Sequence, residues 1–530
     1  MMITPTIRTW VVGWLAAAGI VAMVGCRPTL EQSSTAEALP AVQVTPAKES
    51  MPAGNWPGWR GAEMGGVARD ESLPLHWSET EGVRWKVKVP GHGNSSPVVW
   101  GDRVWLTSEV GSSPAKLAVL CYDRNDGSLR WRADAATVEN NPTHVKNGHA
   151  SASVATDAER VYAFFGSEGL FCFNLGGRQL WHADLGRLDH VWGTASSPVV
   201  YRDQVFQLGD HENNSFLVAL DCKTGAERWR TARDSYGTWS TPVVVEAETP
   251  EGPRSELIVN GTGTDDPDGG WVIAYDPRSG AELWRVQGTT DIVTPTLMVH
   301  AGLVFSTSGR NGPTMAIRPG GSGDVSQDRM VWKLRRGGAY VPTGVGYGNR
   351  LFMISDGGVA ACYNAGNGEM IWRKRLKGVF TASLIAGAGR IYATNERGTV
   401  YVLAADDTFR LLATNEMGAR CLATPAPSHG ELLIRTEGHL YCIAAEAASA
   451  LVADADDPAI KTLPADGGSV RPVSSASSAG GAGNRESQNV KPAKFSLDVK
   501  RPAPAAARPA KNASQDAAPH DSTSARPSAP

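Results

Sequence analysis

The segment Asp221–Arg230, with the sequence DCKTGAERWR, contains the pattern that decides the fold: a polar turn ending in glycine, followed by a tryptophan and a basic residue. The tryptophan recurs seven times, and most copies keep these neighbours; the copies are Trp85, Trp131, Trp181, Trp229, Trp284, Trp332 and Trp372. Their spacing runs from 40 to 55 residues. A period in that range, filled with short strands and Gly/Asp turns, is typical of a β-propeller whose repeat is one four-stranded blade.

Each repeat begins with a short motif rich in serine and threonine. Eight starts occur along the chain, at Ser96–Val98, Ser151–Val154, Ser197–Val199, Thr241–Val243, Thr294–Thr296, Val341–Thr343, Thr381–Ser383 and Ala423–Pro425. The eighth repeat stops after its third strand, Leu440–Ile443, whereas the surplus strand Val83–Val89 precedes the first start. Pairing the two would close the ring and leave no strand edge open. The sequence therefore predicts an all-β, eight-bladed propeller over residues 56–446, with its last blade closed by an N-terminal strand.

The repeated tryptophans and four cysteines have structural explanations. We expect each tryptophan to lie on the outer strand and to pack between blades against a turn glycine, which contributes roughly 1.5–3 kcal/mol per copy. One small residue per blade precedes the turn at an equivalent position, and in four blades it is a cysteine: Cys121, Cys172, Cys362 and Cys442. If the protein is exported, such thiols could be oxidised outside the cytoplasm. Equivalent positions in neighbouring blades are too far apart for a disulfide, which favours reduced, inert cysteines.

The first 26 residues are predicted to be an export signal. An uncharged apolar run of sixteen residues, 10–25, is short for a membrane span and ends at Cys26. Small residues before Cys26 resemble a bacterial lipobox, in which this cysteine becomes the acylated N-terminus, although Met23 stands where leucine is usual. A plain signal peptide or an uncleaved anchor is the alternative. Residues 27–55 would then form a flexible tether.

Composition bounds the remaining possibilities. The chain carries 51 Lys and Arg against 54 Asp and Glu, a net charge of −3, which gives no indication of a nucleic-acid-binding face. Residues 447–530 are mostly Ala, Pro, Ser, Gly and basic residues with a single aromatic, Phe495, and we expect this tail to be disordered.

Polar and aromatic residues concentrate on loops that a propeller places on one face, where strands two and three join and where successive blades connect. The candidates are His144, His149, His190, Trp192, Asp210, His211, Glu212, Tyr236 and Trp239, and the loop 136–150 is longer than its counterparts. Converging histidines and carboxylates could bind a polar ligand or a metal, or act as acid and base; alternatively they hydrogen-bond the loops above the channel. Asp265, Asp266 and Asp268 faintly resemble a calcium loop, but a simple turn also explains them.

The segments Ala219–Trp229 and Ala274–Trp284 resemble the tryptophan-docking repeat of the quinoprotein family. That family includes eight-bladed alcohol dehydrogenases that use pyrroloquinoline quinone (PQQ), and the BamB-type lipoprotein of the outer-membrane barrel assembly machinery, which binds no cofactor. The resemblance covers residues 56–446. It implies the scaffold directly and the function only weakly.

The enzyme hypothesis makes demands that this sequence does not meet. The resemblance implies that a dehydrogenase would carry adjacent cysteines beside PQQ, a calcium ion held by carboxylate and amide groups, and an aspartate base. No Cys-Cys pair occurs and the blades are compact. We therefore expect a non-catalytic, lipid-anchored, monomeric propeller without a cofactor, exposed to the periplasm, with the outer membrane favoured, that binds envelope proteins. The alternatives are a PQQ-dependent or divergent oxidoreductase, and a propeller that binds carbohydrate or peptide.

Overall fold

The computed structural model describes residues 52–444, apart from positions 71, 113, 139–141, 263–268 and 291, together with four short strands, Leu30–Glu31, Thr45–Pro46, Leu451–Ala453 and Thr462–Leu463. These residues belong to one compact unit, Met1–Gly467. They form eight antiparallel sheets of four main strands, one for each predicted repeat. No helix within this part of the chain is long and apolar enough to cross a membrane. The predicted all-β propeller of eight blades is confirmed.

The strands of each blade are named A to D, from the centre of the ring outward. Blade 1 consists of Val98–Trp100, Arg103–Val110, Lys116–Asp123 and Leu129–Thr137, and blade 2 of Ala155–Thr156, Arg160–Phe164, Leu170–Asn174 and Gln179–Ala183. Blade 3 consists of Val199–Tyr201, Gln204–Gly209, Phe216–Asp221 and Glu227–Ala232, and blade 4 of Val243–Thr249, Gly252–Asn260, Gly270–Tyr275 and Glu282–Thr289. A short 3-10 helix, Gly166–Glu168, follows strand B of blade 2.

Blades 5 to 8 follow the same order, except that the last strand of blade 8 comes from the N-terminal side. Blade 5 consists of Met298–His300, Leu303–Thr307, Thr314–Ile317 and Met330–Leu334, and blade 6 of Val345–Tyr347, Arg350–Ile354, Val359–Asn364 and Met370–Arg375. Blade 7 consists of Ile385–Gly387, Arg390–Thr394, Thr399–Ala404 and Leu411–Glu416, and blade 8 of Ala426–Ser428, Glu431–Arg435, His439–Ile443 and Val83–Lys88. The insertion in blade 5 adds Gly323–Asp324, which pairs parallel to strand D of blade 4.

The N-terminal strand closes the ring. Val83–Lys88 pairs antiparallel with His439–Ile443, with Trp85 opposite Cys442 and Val87 opposite Leu440. Strand A of blade 8 in turn contacts strand A of blade 1. Because the last blade is completed by a strand from the other end of the chain, the two ends of the propeller are joined without a covalent bond, as predicted.

A ring of buried hydroxyl groups connects all eight blades at the repeat starts. In each blade one Ser or Thr accepts a hydrogen bond from the backbone N–H of the equivalent residue in the preceding blade, at 2.9–3.1 Å. The members of this hydroxyl ring are, in order, Ser96, Ser153, Ser197, Thr241, Thr296, Thr343, Ser383 and Thr424, and Thr424 N donates to Ser96. The repeated hydroxyl therefore satisfies a backbone donor that strand pairing leaves open.

Five repeat tryptophans stack on a turn glycine of the next blade, as the sequence predicts. In the first, Trp85 Nε1 donates to Arg124 O at 2.8 Å, and a Cβ built on Gly127 would lie 2.6 Å from the indole ring. The pairs are Trp85 with Gly127, Trp131 with Gly177, Trp181 with Gly225, Trp229 with Gly280 and Trp332 with Gly368. These glycines also have positive φ, from +72° to +87°. Both the close approach and the backbone conformation therefore require glycine.

Two repeat tryptophans depart from this arrangement. Trp284 donates to the buried Oε2 of Glu256 in its own blade at 2.8 Å, because the insertion in blade 5 replaces the glycine turn. Trp372 packs edge-on against Phe409, with ring centroids 5.2 Å apart, because the turn of blade 7 contains no glycine.

The small residue opposite each tryptophan lies in a tight slot. Cys121 faces Trp131 and Cys362 faces Trp372, as alanine faces tryptophan in blades 3 to 5. All six cysteines in the described region are buried and free. Burial raises the pKa of the Cys121 and Cys362 thiols to about 12, which keeps them protonated. The six include the four cysteines of the repeat, Cys121, Cys172, Cys362 and Cys442, whereas Cys26 lies outside the described residues.

Residues 54–77, here called the plug, cross the ring on the face that carries the turns between strands A and B. The backbone of Trp56 pairs with that of Val99 in blade 1, and Val67 bridges to Ala386 in blade 7. Trp77 stacks on Tyr392 and packs against Ala413, which occupies the tryptophan position of blade 7. This stretch, which precedes the first repeat start, therefore lies over strands A on one face of the ring.

The centre of the plug reaches the hydroxyl ring. Trp59 Nε1 donates to Thr296 Oγ1 at 3.0 Å, so this hydroxyl accepts two hydrogen bonds. The buried guanidinium of Arg60 donates to the backbone carbonyls of Leu384, Gly344 and Gly65. Because no carboxylate of the described residues lies beside it, burial lowers the pKa of Arg60 to about 9. The side chains of Trp59 and Arg60 therefore bond the plug to blades 5, 6 and 7.

Candidate functional site

The face opposite the plug, here called the top face, consists of the turns between strands B and C and the connections between blades. All nine predicted site residues lie on it. His144 and His149 belong to the connection from blade 1 to blade 2; His190 and Trp192 follow blade 2; Asp210, His211 and Glu212 form the B–C turn of blade 3; Tyr236 and Trp239 follow blade 3. Their chemical roles depend on what each one contacts.

Four of these residues form an aromatic cluster. The ring of His190 lies edge-on to Trp239 at 4.7 Å and within 6.2 Å of Tyr236, and Trp192 lies 5.7 Å from Trp239. His190 Nδ1 accepts the backbone N–H of Trp192 at 3.0 Å. Burial lowers the pKa of His190 below its ordinary value, so the ring is held neutral. The cluster fixes two connections side by side and leaves Tyr236 half exposed.

Asp210 is committed to a buried ion pair. Arg233 Nε donates to Asp210 Oδ1 at 2.8 Å and Arg233 Nη2 to Asp210 Oδ2 at 3.1 Å. The third nitrogen of Arg233 donates to the hydroxyl of Tyr275 at 2.5 Å. Both charged side chains are shielded from solvent. Breaking a buried pair leaves an uncompensated charge, so Asp210 holds the connection after blade 3 in place rather than facing a ligand.

His211 and Glu212 tie blade 3 to the preceding connection. His211 Nδ1 accepts the backbone N–H of Asp189 at 3.3 Å, and the Glu212 N–H donates to Asp189 O at 3.0 Å. Burial lowers the pKa of His211, which favours the neutral ring that can accept this bond. His211 therefore holds the connection after blade 2 through its ring, and Glu212 holds it through its backbone N–H.

The long connection after blade 1 extends across the top face to blade 7. Lys146 Nζ lies 2.6 Å from Glu396 Oε1, and Asn147 Nδ2 donates to Trp192 O at 2.7 Å. His149 Nδ1 lies 3.0 Å from Glu109 Oε2, whereas His144 is exposed. The length of the loop was visible in the sequence, but its contact with blade 7, two blades away around the ring, was not.

Sequence reasoning also missed an acidic pair beside Lys146. Asp356, in the B–C turn of blade 6, accepts the backbone N–H of Val341 at 3.0 Å. Burial raises the pKa of Asp356, with a further contribution from nearby Glu396, while Lys146 opposes the rise. Glu396 also accepts the hydroxyl of Thr381 at 2.6 Å. Asp356 and Glu396 stand one repeat apart, in the B–C turns of blades 6 and 7, but Lys146 precedes Glu396 by 250 residues, so nothing in the sequence indicated that the three side chains meet.

A site for PQQ and calcium, as the resemblance implies it, would combine adjacent cysteines with a calcium ion held by carboxylate and amide groups. Among them, no group of three or more His, Cys, Asp and Glu side chains could hold a metal ion. Asp210 is paired with Arg233, Glu396 with Lys146, and the cysteines are buried apart from one another. Asp265, Asp266 and Asp268, the candidate calcium loop, lie outside the described residues. Asp210 and Glu396 thus each have a charged partner within the described part of the chain.

Two sequence relatives differ in function. The chain is 28% identical over 167 residues to a polyvinylalcohol dehydrogenase of a Pseudomonas species, covering 28% of this chain and 24% of that enzyme. It is 23% identical over 292 residues to the outer membrane protein assembly factor BamB of Yersinia pestis, covering 50% of this chain and 67% of that protein. The match therefore spans about a quarter of the dehydrogenase's length.

A solved structure and a family model agree on the scaffold. The quinohemoprotein alcohol dehydrogenase of Comamonas testosteroni superposes with a TM-score of 0.55 at 12% identity, covering 74% of this chain and 81% of that one, which shows the fold alone. The family model described as outer membrane protein assembly factor BamB matches residues 67–250 and 268–436. That match covers most of the propeller and about two thirds of the chain. The chain therefore belongs to the family of the outer membrane protein assembly factor BamB.

Proposed function

We propose that this chain is a non-catalytic, exported propeller that binds a partner protein of the cell envelope through its top face. One observation carries the proposal. Of the six exposed large hydrophobic residues in the described part of the chain, four lie on top-face connections; they are Val145, Val191, Tyr236 and Val379, with exposed fractions between 46% and 81%. Apolar side chains concentrated on one face are typical of a protein-binding surface.

The rigidity of this face supports the same proposal. The ion pair between Asp210 and Arg233, the aromatic cluster around His190 and the ion pair between Lys146 and Glu396 each fix a connection. A surface whose loops are held by internal contacts loses little conformational entropy when a partner binds. The same contacts use the carboxylates and histidines that acid–base chemistry would require.

The kind of partner follows from the family. The relative from Yersinia pestis is by name an outer membrane protein assembly factor. We propose that this chain likewise serves the assembly of envelope proteins, as a monomer anchored through Cys26 on the periplasmic side, with the outer membrane favoured. Replacing Cys26 with serine is expected to abolish labelling by a radioactive fatty acid; retained labelling would place the lipid elsewhere.

Site-specific photo-crosslinking tests the binding surface. A photoreactive amino acid at Val191 or Val379, in the full chain expressed in its host, is expected to capture a discrete envelope protein. Leu180 is the matched control, since it is 39% exposed and lies on strand D of blade 2, away from the top face. Val191→Asp and Val379→Asp should abolish co-purification of that protein, and Leu180→Asp should not. Equal capture from Leu180 would refute the top face as the docking surface.

The runner-up function is PQQ-dependent oxidation, which the polyvinylalcohol dehydrogenase relative favours. We expect purified full-length protein incubated with PQQ and calcium to elute from gel filtration without the absorbance of the cofactor, and to show no alcohol-dependent dye reduction. Stoichiometric retention of PQQ would replace the scaffold proposal with the enzyme.

A further inference from the structure

A second feature of the top face lies between blades 8 and 1. A cavity of about 220 Å³ opens there, lined in part by Asn94, Val145, Arg420, Leu422, Arg435 and Glu437. None of the nine residues singled out in the sequence lines it. Its chemistry is dominated by one side chain, that of Arg435.

Arg435 is a buried cation without a carboxylate partner. Its side chain ends strand B of blade 8, is 2% exposed and forms no ion pair with any described residue. Nη1 donates to Ser95 O at 3.2 Å, Ser95 Oγ at 2.6 Å and Thr107 O at 2.9 Å. Nε has no hydrogen-bond partner, and Nη2 forms no hydrogen bond within the described part of the chain. Nη2 lies only 2.8 Å from where a Cβ on Gly93, another lining residue, would stand.

Blade 4 shows that hydrogen bonds like those from Arg435 Nη1 to the next blade do not need a charged side chain. Asn260 ends strand B of blade 4, and its Nδ2 donates to Pro295 O and Thr307 O, both at 3.1 Å. Pro295 and Thr307 belong to blade 5, where they stand at the positions that Ser95 and Thr107 have in blade 1. A neutral amide therefore joins two blades as Arg435 Nη1 does. The remaining nitrogens and the positive charge of Arg435 are surplus to that connection.

Burying an unpaired charge costs several kcal/mol unless an anion compensates it. Burial lowers the pKa of Arg435 to about 10, so the guanidinium still carries its charge near neutral pH. The charged lining residues are Arg435, Arg420 and Glu437, which leaves one positive charge for a bound ligand to neutralise. Val145, Leu422 and Ala423 add an apolar wall. A single negative charge joined to a small apolar group matches this lining better than a hydrated phosphate dianion does.

We propose that this cavity binds a small organic monocarboxylate, with the carboxylate on Arg435 and Arg420 and the apolar group against Val145 and Leu422. The planar fork of a guanidinium suits a carboxylate. The site shares Val145 with the proposed docking surface, but its test measures the binding of a small anion and does not depend on a protein partner.

Saturation-transfer NMR on the full-length protein tests the site, with propionate as the probe and propionamide as its uncharged counterpart at equal ionic strength. Propionate is expected to bind and propionamide not to. Arg435→Gln keeps a side-chain amide for Ser95 and Thr107, as Asn260 does for its own partners, and should weaken propionate binding at least about tenfold, equivalent to about 1.4 kcal/mol.

Two further variants make the outcome decisive. Arg420→Gln changes a residue at the cavity without touching the blade connection and should also weaken propionate binding, by roughly three- to tenfold. Arg397→Gln removes an exposed positive charge of the same face outside the cavity and should leave binding unchanged. Equal binding of propionamide, or unchanged affinity in Arg435→Gln, would overturn the proposal. If Arg435→Gln does not fold, unchanged affinity in Arg420→Gln overturns it instead.

Discussion

Replacing Thr296 with valine tests whether the hydroxyl ring and the plug stabilise the propeller together. Thr296 is the one member of the ring, among the contacts described, whose hydroxyl also serves the plug: Oγ1 accepts Thr241 N–H at 3.1 Å and Trp59 Nε1–H at 3.0 Å. Valine has nearly the same shape but no acceptor. The substitution therefore leaves two donors without a partner at a position that is 3% exposed.

The magnitude follows from the number of orphaned donors. A buried donor that loses its acceptor destabilises the fold by about 1–3 kcal/mol, which applies in full to the N–H of Thr241. The part-buried Nε1 of Trp59 adds less, so Thr296→Val should lower the free energy of unfolding by about 2–4 kcal/mol. Thr343→Val is the matched control, because its hydroxyl accepts only the N–H of Thr296, at 3.0 Å. One orphaned donor predicts a loss of about 1–3 kcal/mol there.

Urea unfolding followed by tryptophan fluorescence measures both losses, with the slope of the transition checked for constancy. Trp59→Phe removes the indole donor, so its effect should shrink in the Thr296→Val background, with a coupling of roughly 1 kcal/mol in the double-mutant cycle. Equal losses in Thr296→Val and Thr343→Val, together with zero coupling, would refute the link between plug and ring. A loss below about 0.5 kcal/mol in both would refute a structural role for the hydroxyls themselves.

Gly127→Ala should destabilise the propeller by about 1–3 kcal/mol more than Gly101→Ala in the same urea assay. Both glycines have positive φ, but only the Cβ added at Gly127 would meet the Trp85 ring, at 2.6 Å. Equal effects of the two substitutions would mean that the stacking of Trp85 on Gly127 does not contribute to stability. The buried His190 has a lowered pKa, so the stability it contributes is complete above its ordinary value of 6.5 and is lost as pH falls toward the folded-state pKa. Wild-type protein should therefore lose more stability than His190→Gln between about pH 7 and pH 5, and parallel pH profiles would contradict a neutral buried ring.

The number of blades and the closure of the ring could be predicted from the sequence because both depend on short motifs that recur in each repeat. A hydroxyl at each repeat start, a glycine in the turn and a tryptophan on the outer strand recur once per blade, and each acts on its nearest neighbour in the ring. The surplus strand with Trp85 and the incomplete eighth repeat could be matched for the same reason: one repeat lacked what another segment offered. The cysteine positions followed from the same register.

Only the tertiary structure decided the roles of the top-face residues. Asp210 looked like a candidate ligand until Arg233 was placed against it, and Lys146, after blade 1, meets Glu396 of blade 7 although 250 residues separate them. The plug, with Arg60 bonded to blades 6 and 7, and the unpaired Arg435 between blades 8 and 1 were equally hidden. The physical reason is that the repeat specifies the contacts that recur once per blade, whereas these contacts are made by side chains and loops that do not repeat.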